Sequence, residues 1–184
     1  MKKTQLIMLL LLSAIFIQSC KKDETTTAST TSDKILSANI NGVAWNPDTV
    51  SAAITYNAAA KTKSFTVTGT ATQQQVSINI TLPNSTNDNT FGLATYKVDT
   101  TSRVVLKYLT QNAQGGFDQI GVVEPGSGSV IISGIDTDKK LITGTYSFTS
   151  KQVNKDQSGN IISINVQQIL LGSFTNLPYS FVNN

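Results

Sequence analysis

From Lys34 to the C-terminus, apolar and polar residues alternate with period two, and this pattern restricts the chain to β-structure. Phe65, Val67 and Gly69 alternate with Ser64, Thr66 and Thr68, and Val76, Ile78, Ile80 and Leu82 with Ser77, Asn79 and Thr81. Val104, Leu106 and Tyr108 share one face of a strand, as do Ile142, Gly144, Tyr146 and Phe148. Ile162, Ile164 and Val166 repeat the scheme near the C-terminus. Threonine, valine and isoleucine dominate these runs, and all suit a pleated, half-buried surface. Turn residues separate them: Asn41-Gly42, Pro83 to Asn89, Gly115-Gly116, Pro125-Gly126, Asp136 to Lys140 and Ser158-Gly159-Asn160. The spacing predicts about nine to eleven strands and no helical run of about ten residues. Short connections favour antiparallel pairing, and clean alternation gives each sheet one wet and one buried face. The expectation is a single all-β domain over residues 34–184, closed as an antiparallel β-sandwich or a flattened β-barrel. An outer-membrane barrel does not fit, because the apolar faces are small and the aromatics form no girdles.

The N-terminus reads as an export signal. Lys2 and Lys3 precede an apolar stretch centred on Leu9 to Leu12 and running through Ile15, Phe16 and Ile17. At about 12 to 14 residues it is shorter than the roughly 20 needed to span a bilayer as a helix. It ends in Gln18-Ser19-Cys20, which resembles the lipobox of bacterial lipoproteins: aliphatic Ile17, small Ser19, then the cysteine. Gln18 stands where that family more often has a small residue. The resemblance implies a signal peptide over 1–19, cleavage between Ser19 and Cys20, and acylation of Cys20 with palmitate-type chains as a membrane anchor. Lys22-Asp23-Glu24 resembles the surface-export tag of Bacteroidota lipoproteins. That implies a hand-over to lipoprotein export machinery and display on the outer membrane, with a periplasm-facing location as the other reading. Thr25 to Asp33 is polar and nearly devoid of apolar residues, so residues 20–33 read as lipidated cysteine, charged tag and flexible tether.

About 150 residues remain after the tether, the size of one domain and enough to bury a core without disulfides. It has none to use, since Cys20 is the only cysteine. The net charge of +3 includes Lys2 and Lys3, so the mature chain is nearly neutral. Its charges are scattered with no basic stripe, which argues against nucleic acid as a partner.

Several segments together resemble an uncharacterised domain of Bacteroidota lipoproteins, a family of unknown function. They are Ala38 to Trp45 with its Asn-Gly turn, Gly92 to Tyr96, Ser129 to Ser133 followed by Leu141 to Phe148, and Gly172 to Tyr179. The resemblance implies secretion, lipidation and an all-β fold, and it implies no activity. Physically the pieces read as structure. Asn41-Gly42 suits a type I′ turn with two positive φ angles. Gly144, among large inward residues, leaves room for an aromatic ring from a neighbouring strand. Trp45, the only tryptophan, reads as a core residue in preference to a sugar-stacking platform.

The chain contains no histidine, and Cys20 is assigned to lipid. Ser-His-Asp and Cys-His catalysis and the usual His/Cys zinc sites are thereby excluded. No catalytic residue, metal site or cofactor is expected. Paired carboxylates would suffice for a glycosidase. The available ones are Asp48, Asp88, Asp99, Asp118, Glu124, Asp136, Asp138 and Asp156, nearly all in turn-like segments where Asp is used for local hydrogen bonding. Asp136-Thr137-Asp138 lacks the spaced oxygens of a calcium loop. The expectation is a non-enzymatic surface module that binds a glycan or protein. Two alternatives are a small-ligand carrier, for which Gly42 to Trp45 resembles a lipocalin Gly-x-Trp entry with one extra residue, and a structural envelope lipoprotein.

Overall fold

The computed structural model describes residues 35–184. The expected signal peptide (1–19), the expected cleavage point between Ser19 and Cys20, the expected tag residues Lys22, Asp23 and Glu24, and the expected tether (to residue 33) lie outside the described residues. Among the described residues there are twelve strands and no helix. They are β1 (Leu36–Ile40), β2 (Val43–Trp45), β3 (Thr49–Asn57), β4 (Thr62–Ala71), β5 (Gln74–Leu82), β6 (Thr95–Lys97), β7 (Val104–Gln111), β8 (Phe117–Gln119), β9 (Gly128–Asp136), β10 (Leu141–Lys155), β11 (Ile161–Pro178) and β12 (Ser180–Asn183). The count exceeds the expected one because β6, β8 and β12 are three or four residues long, too short to show a period.

Two six-stranded sheets form, ordered β2-β1-β11-β10-β9-β6 and β12-β3-β4-β5-β7-β8. Of the two expected closures, the chain adopts the sandwich. The turns follow the local chemistry. Asn41 and Gly42 both take positive φ, 52° and 87°, as a type I′ hairpin requires. The Asn57 carboxamide accepts from Ala60 N, which shapes the β3–β4 hairpin over Asn57 to Lys61. One pairing departs from the antiparallel expectation: β12 runs parallel to β3, Ser180 opposite Ala53. The chain leaves the first sheet at Pro178 and reaches the open edge of the second, where direction is set by the crossing rather than by a hairpin.

The core is built in cross-strand rows. In the second sheet Ile54, Phe65, Ile80 and Val104 stand abreast, next to Val67, Ile78 and Leu106. From the first sheet Ile132, Ile142, Phe148, Ile169 and Phe174 fill the opposite side. Phe174 lies 5.9 Å from Phe65, and Phe65 lies 5.6 Å from Phe91, so aromatic rings tie the two sheets together. Trp45 is buried as expected, its ring against Gly69, and its indole N–H has no acceptor among the described residues. Gly144 accommodates the Phe174 ring: a Cβ there would sit 2.5 Å from Phe174 Cζ and 2.2 Å from the Ile131 carbonyl oxygen.

Because that second contact is backbone, Gly144→Ala is expected to destabilise the domain by about 1–3 kcal/mol in urea denaturation. Gly134→Ala, whose Cβ would meet nothing nearer than 3.8 Å, should stay within about 0.5 kcal/mol of wild type.

Candidate functional site

Beyond the sandwich, β10 and β11 continue as a two-stranded arm. β9 pairs with β10 only as far as Phe148, and β1 pairs with β11 only from Ile169 onward, with Asn41 N donating to Gln168 O at the boundary. A short bridge between Val122 and Lys151 supports the outer side of β10. Past Lys151, the arm is held by its own ladder, from Gln152 opposite Asn165 to Lys155 opposite Ile161.

Along the arm the apolar face reverses. Phe148 and Ile169 face the core as a pair, and alternation places Ser150 with Gln167, Gln152 with Asn165, and Asn154 with Ser163 on that same side. Asn154 Nδ2 donates to Ser163 Oγ across this polar face. The other side carries Lys151 with Val166 and Val153 with Ile164, and Ile162 falls in a bulge towards the tip, between Ser163 and Ile161. Ile162, Ile164, Val166 and Val153 are all exposed, Ile162 by 69%. The expected alternation holds at Ile164 and Val166 and breaks at the bulge residue Ile162, and its apolar side faces solvent and not a core. The physical reason is that no second layer covers the arm.

The outward face continues onto the sandwich through a β-bulge. Leu171 and Gly172 together oppose Ala38, and Leu171 takes φ 52°, a left-handed conformation that costs a bulky residue energy. Gly172 is needed there because a Cβ would lie 2.6 Å from the Tyr146 ring and from its carbonyl oxygen. The extra residue pushes Leu171 outward, 84% exposed. With Leu170, Ile131, Thr145, Ser147 and Ser173 it lines a groove of about 790 Å³ on the outer face of the first sheet. An unpaired apolar surface of this kind can dock a partner and has no reacting group.

Of the carboxylates singled out in the sequence, no three cluster with one another as metal ligands among the described residues. Asp48 accepts from Thr72 N, Asp99 from Thr101 N, Asp136 from Asp138 N and Lys139 N, and Asp156 from Ser158 N and Asn160 N. Hydrogen bonds from Thr101, Lys139 and Asn160 hold Asp99, Asp136 and Asp156 below the usual carboxylate range. A general acid needs the opposite shift. Glu124 lies 3.9 Å from Lys151, and Asp118 accepts from Asn112 Nδ2. Asp138 contributes a backbone donor to Asp136.

Asp88 has a structural partner that the sequence did not indicate. Lys63, on the inward side of β4 and 4% exposed, donates to Asp88 Oδ1 at 2.7 Å and to Thr90 O at 3.0 Å. Lys63, with the hydroxyls of Thr86 and Thr90, holds the Asp88 carboxyl far below the usual range. The pair fastens the long β5–β6 connection over the sandwich end, where Tyr179 Oη also donates to Asn89 O.

Leu171 and the arm were missed as a site, although two signals were present. Ile169-Leu170-Leu171 breaks period two, which requires a bulge. The apolar set also shifts from odd positions at Ile169 to even ones at Val166, Ile164 and Ile162.

A family model described as a domain of unknown function (DUF6252) matches residues 32–178. The chain belongs to this family. Its match covers both sheets and the whole arm and ends before β12. No curated protein and no solved structure matches the chain.

Asp88 gives a pH-dependent prediction. Its carboxyl keeps its charge in the fold at pH values where the unfolded chain, with the ordinary value of 3.8, takes up a proton. Its contribution is therefore present above about pH 5 and declines as the pH falls through and below the unfolded value. The carboxylate side chain is 39% exposed and so screened by water, and Asp88→Asn should cost only about 1–2 kcal/mol at pH 7. Urea denaturation at pH 7 and at pH 3 should show a smaller difference between variant and wild type at the lower pH.

Proposed function

We propose that this chain is a non-catalytic, lipid-anchored outer-membrane protein, displayed at the cell surface, that binds a protein partner through the outer face of its first sheet. The anchoring half of the reading is supported by the export signal, the lipobox-like Ile17 to Cys20 and the Lys22-Asp23-Glu24 tag. The observation that carries the binding half is the reversal of the apolar face on β11, continuous with Leu171 in its left-handed conformation. A strained, fully presented leucine beside a strip of isoleucine and valine is a feature that folding alone does not favour.

A protein fits this surface better than a glycan. Sugar sites present aromatic faces beside polar groups, whereas the large apolar residues exposed here are aliphatic and Trp45, Phe65, Phe148, Phe174, Tyr146 and Tyr179 are buried. The carrier alternative has less support, because Phe65, Phe148, Phe174 and the isoleucine rows fill the space between the sheets.

The test places a photo-crosslinking amino acid at Leu171, and separately at Thr66 in the second sheet, in cells producing the full chain. Protein adducts are expected from position 171 and not from position 66; equal labelling, or none at 171, overturns the binding reading. Leu171→Gly should match or exceed wild-type stability, by about 1 kcal/mol, because glycine adopts positive φ without the Cβ clash. The same variant should reduce partner recovery when the photo-crosslinker is moved to Leu170. Cys20→Ser should abolish palmitate labelling and release the protein from the membrane fraction; retention of both would refute the anchor.

A further inference from the structure

We infer that the partner meets this face with an extended segment in which an aliphatic side chain stands close to a carboxylate. The aliphatic group seats on Leu170 and Leu171, and the carboxylate pairs with Lys97. The inference rests on the protein-binding reading above and names the chemistry of the partner.

A single cross-strand row carries both halves of the site. Lys97 on β6 lies opposite Ser129 on β9, and Ser129 lies opposite Ser147 on β10. Tyr146 is opposite Gly172 and Phe148 opposite Ile169, so Ser147 between them faces the bulge that holds Leu170 and Leu171. Leu171 is the most exposed large apolar residue among the described ones. The row thus runs from a cation to this leucine across three strand spacings, about 14 Å at Cα. A hollow of about 440 Å³ occupies the polar end of the row. It adjoins the groove described above, sharing Ser129, Ser147 and Leu170 with it, and Lys97, Ser127 and Thr149 also line it. The two form one continuous depression, aliphatic at β11 and lined by hydroxyls and an ammonium group at β6.

The charges of the first sheet set the sign of the partner. Its strands carry Lys97, Lys151 and Lys155 and a single carboxylate, Asp136. Asp136 ends β9 and accepts from the backbone of its own turn, at Asp138 N and Lys139 N. Lys151 lies 3.9 Å from Glu124, and Lys97 belongs to none of the ion pairs among the described residues. A lysine beside apolar surface lays its stem along that surface and keeps its head group available. Pairing with a carboxylate on docking then selects an acidic partner more than it adds affinity. Given the reach of the lysine along the row, the carboxylate stands about two to four residues from the aliphatic side chain in an extended segment.

A bilayer fits the same face less well. Segments that hold to anionic membranes gather about four to eight lysines or arginines. Interfacial anchors also use tryptophan and tyrosine, whereas the exposed large apolar residues here are all aliphatic.

The test uses the full lipidated chain in phosphatidylcholine vesicles, with a photo-crosslinking amino acid at Leu171. Three seven-residue peptides are offered that share two leucines in a glycine–serine background. They differ in one residue, three positions from the nearer leucine, which is glutamate, glutamine or lysine. Adduct yield should fall in that order, by about threefold at each step, the size of a surface ion pair. Lys97→Glu should reverse the order, and Lys97→Gln should remove most of the preference. Lys107→Glu, between inward Leu106 and Tyr108 on the second sheet, should leave the order unchanged. At about 1 M salt, where screening confines such attraction to about 3 Å, the preference should disappear while the glutamine peptide still reacts. Both Lys97 variants should keep the wild-type urea midpoint, since Lys97 is exposed on an edge strand. Equal yields from the three peptides, no adduct from any, or an order unmoved by Lys97→Glu overturns the inference. In cells, protein adducts at Leu171 that Lys97→Glu leaves unchanged would keep the binding reading and remove the acidic partner. Absence of protein adducts there removes the binding reading itself, and adducts to lipid in their place assign the face to the bilayer.

Discussion

Over Ile169 to Phe174, the backbone of β11 is hydrogen-bonded on both sides at once, to β1 and to β10, while its inward side chains form the centre of the core. Everything else in the first sheet is registered from this central strand. Its two glycine contacts show how closely it is fitted: Phe174 lies on the backbone of Gly144, and Tyr146 lies on the backbone of Gly172. Both are reciprocal exchanges between β10 and β11, in which each strand lacks a side chain where the other carries a ring. The aromatic contact from Phe174 to Phe65 then joins this strand pair to the second sheet. A strand fixed so firmly in its middle can project at its end. The arm therefore has a rigid root, and its direction is set by the same ladder that builds the core.

The all-β class, the turns and most of the core were legible because period-two alternation and turn residues such as Asn41-Gly42 act over a few neighbouring positions. The burial of Trp45 and the ring against Gly144 were legible for the same reason. What could not be read was which of two formally identical strands has a layer above it. Ile162, Ile164 and Val166 carry the same local pattern as Val76, Ile78 and Ile80, yet one set is exposed and the other buried. Burial depends on where a strand ends relative to its neighbours, which is a property of the whole sheet. The parallel β12 and the Lys63–Asp88 pair were hidden likewise, since both depend on segments that meet only after the two sheets have packed.

The charged groups of the domain serve its turns and loops. Asp99, Asp136 and Asp156 accept hydrogen bonds from their own turns, and Asp88 fastens a loop. Charge is absent from the long C-terminal strand, where a soluble protein would ordinarily place it. That distribution separates a polar, turn-rich periphery from one uncharged edge and its adjoining aliphatic groove.

The union of β1 with β11 has a kinetic side. Ser37 and Ser173, whose hydroxyls meet at 3.1 Å, are 136 positions apart in the chain. The first strand to be synthesised has to wait for the last long one before its inner edge is covered, and closing so large a loop is slow. The inner edge of β1 in a nascent chain stays unpaired until nearly all of the chain has been made. That delay suits the export proposed above, in which extended polypeptide is threaded through a membrane before the sandwich closes.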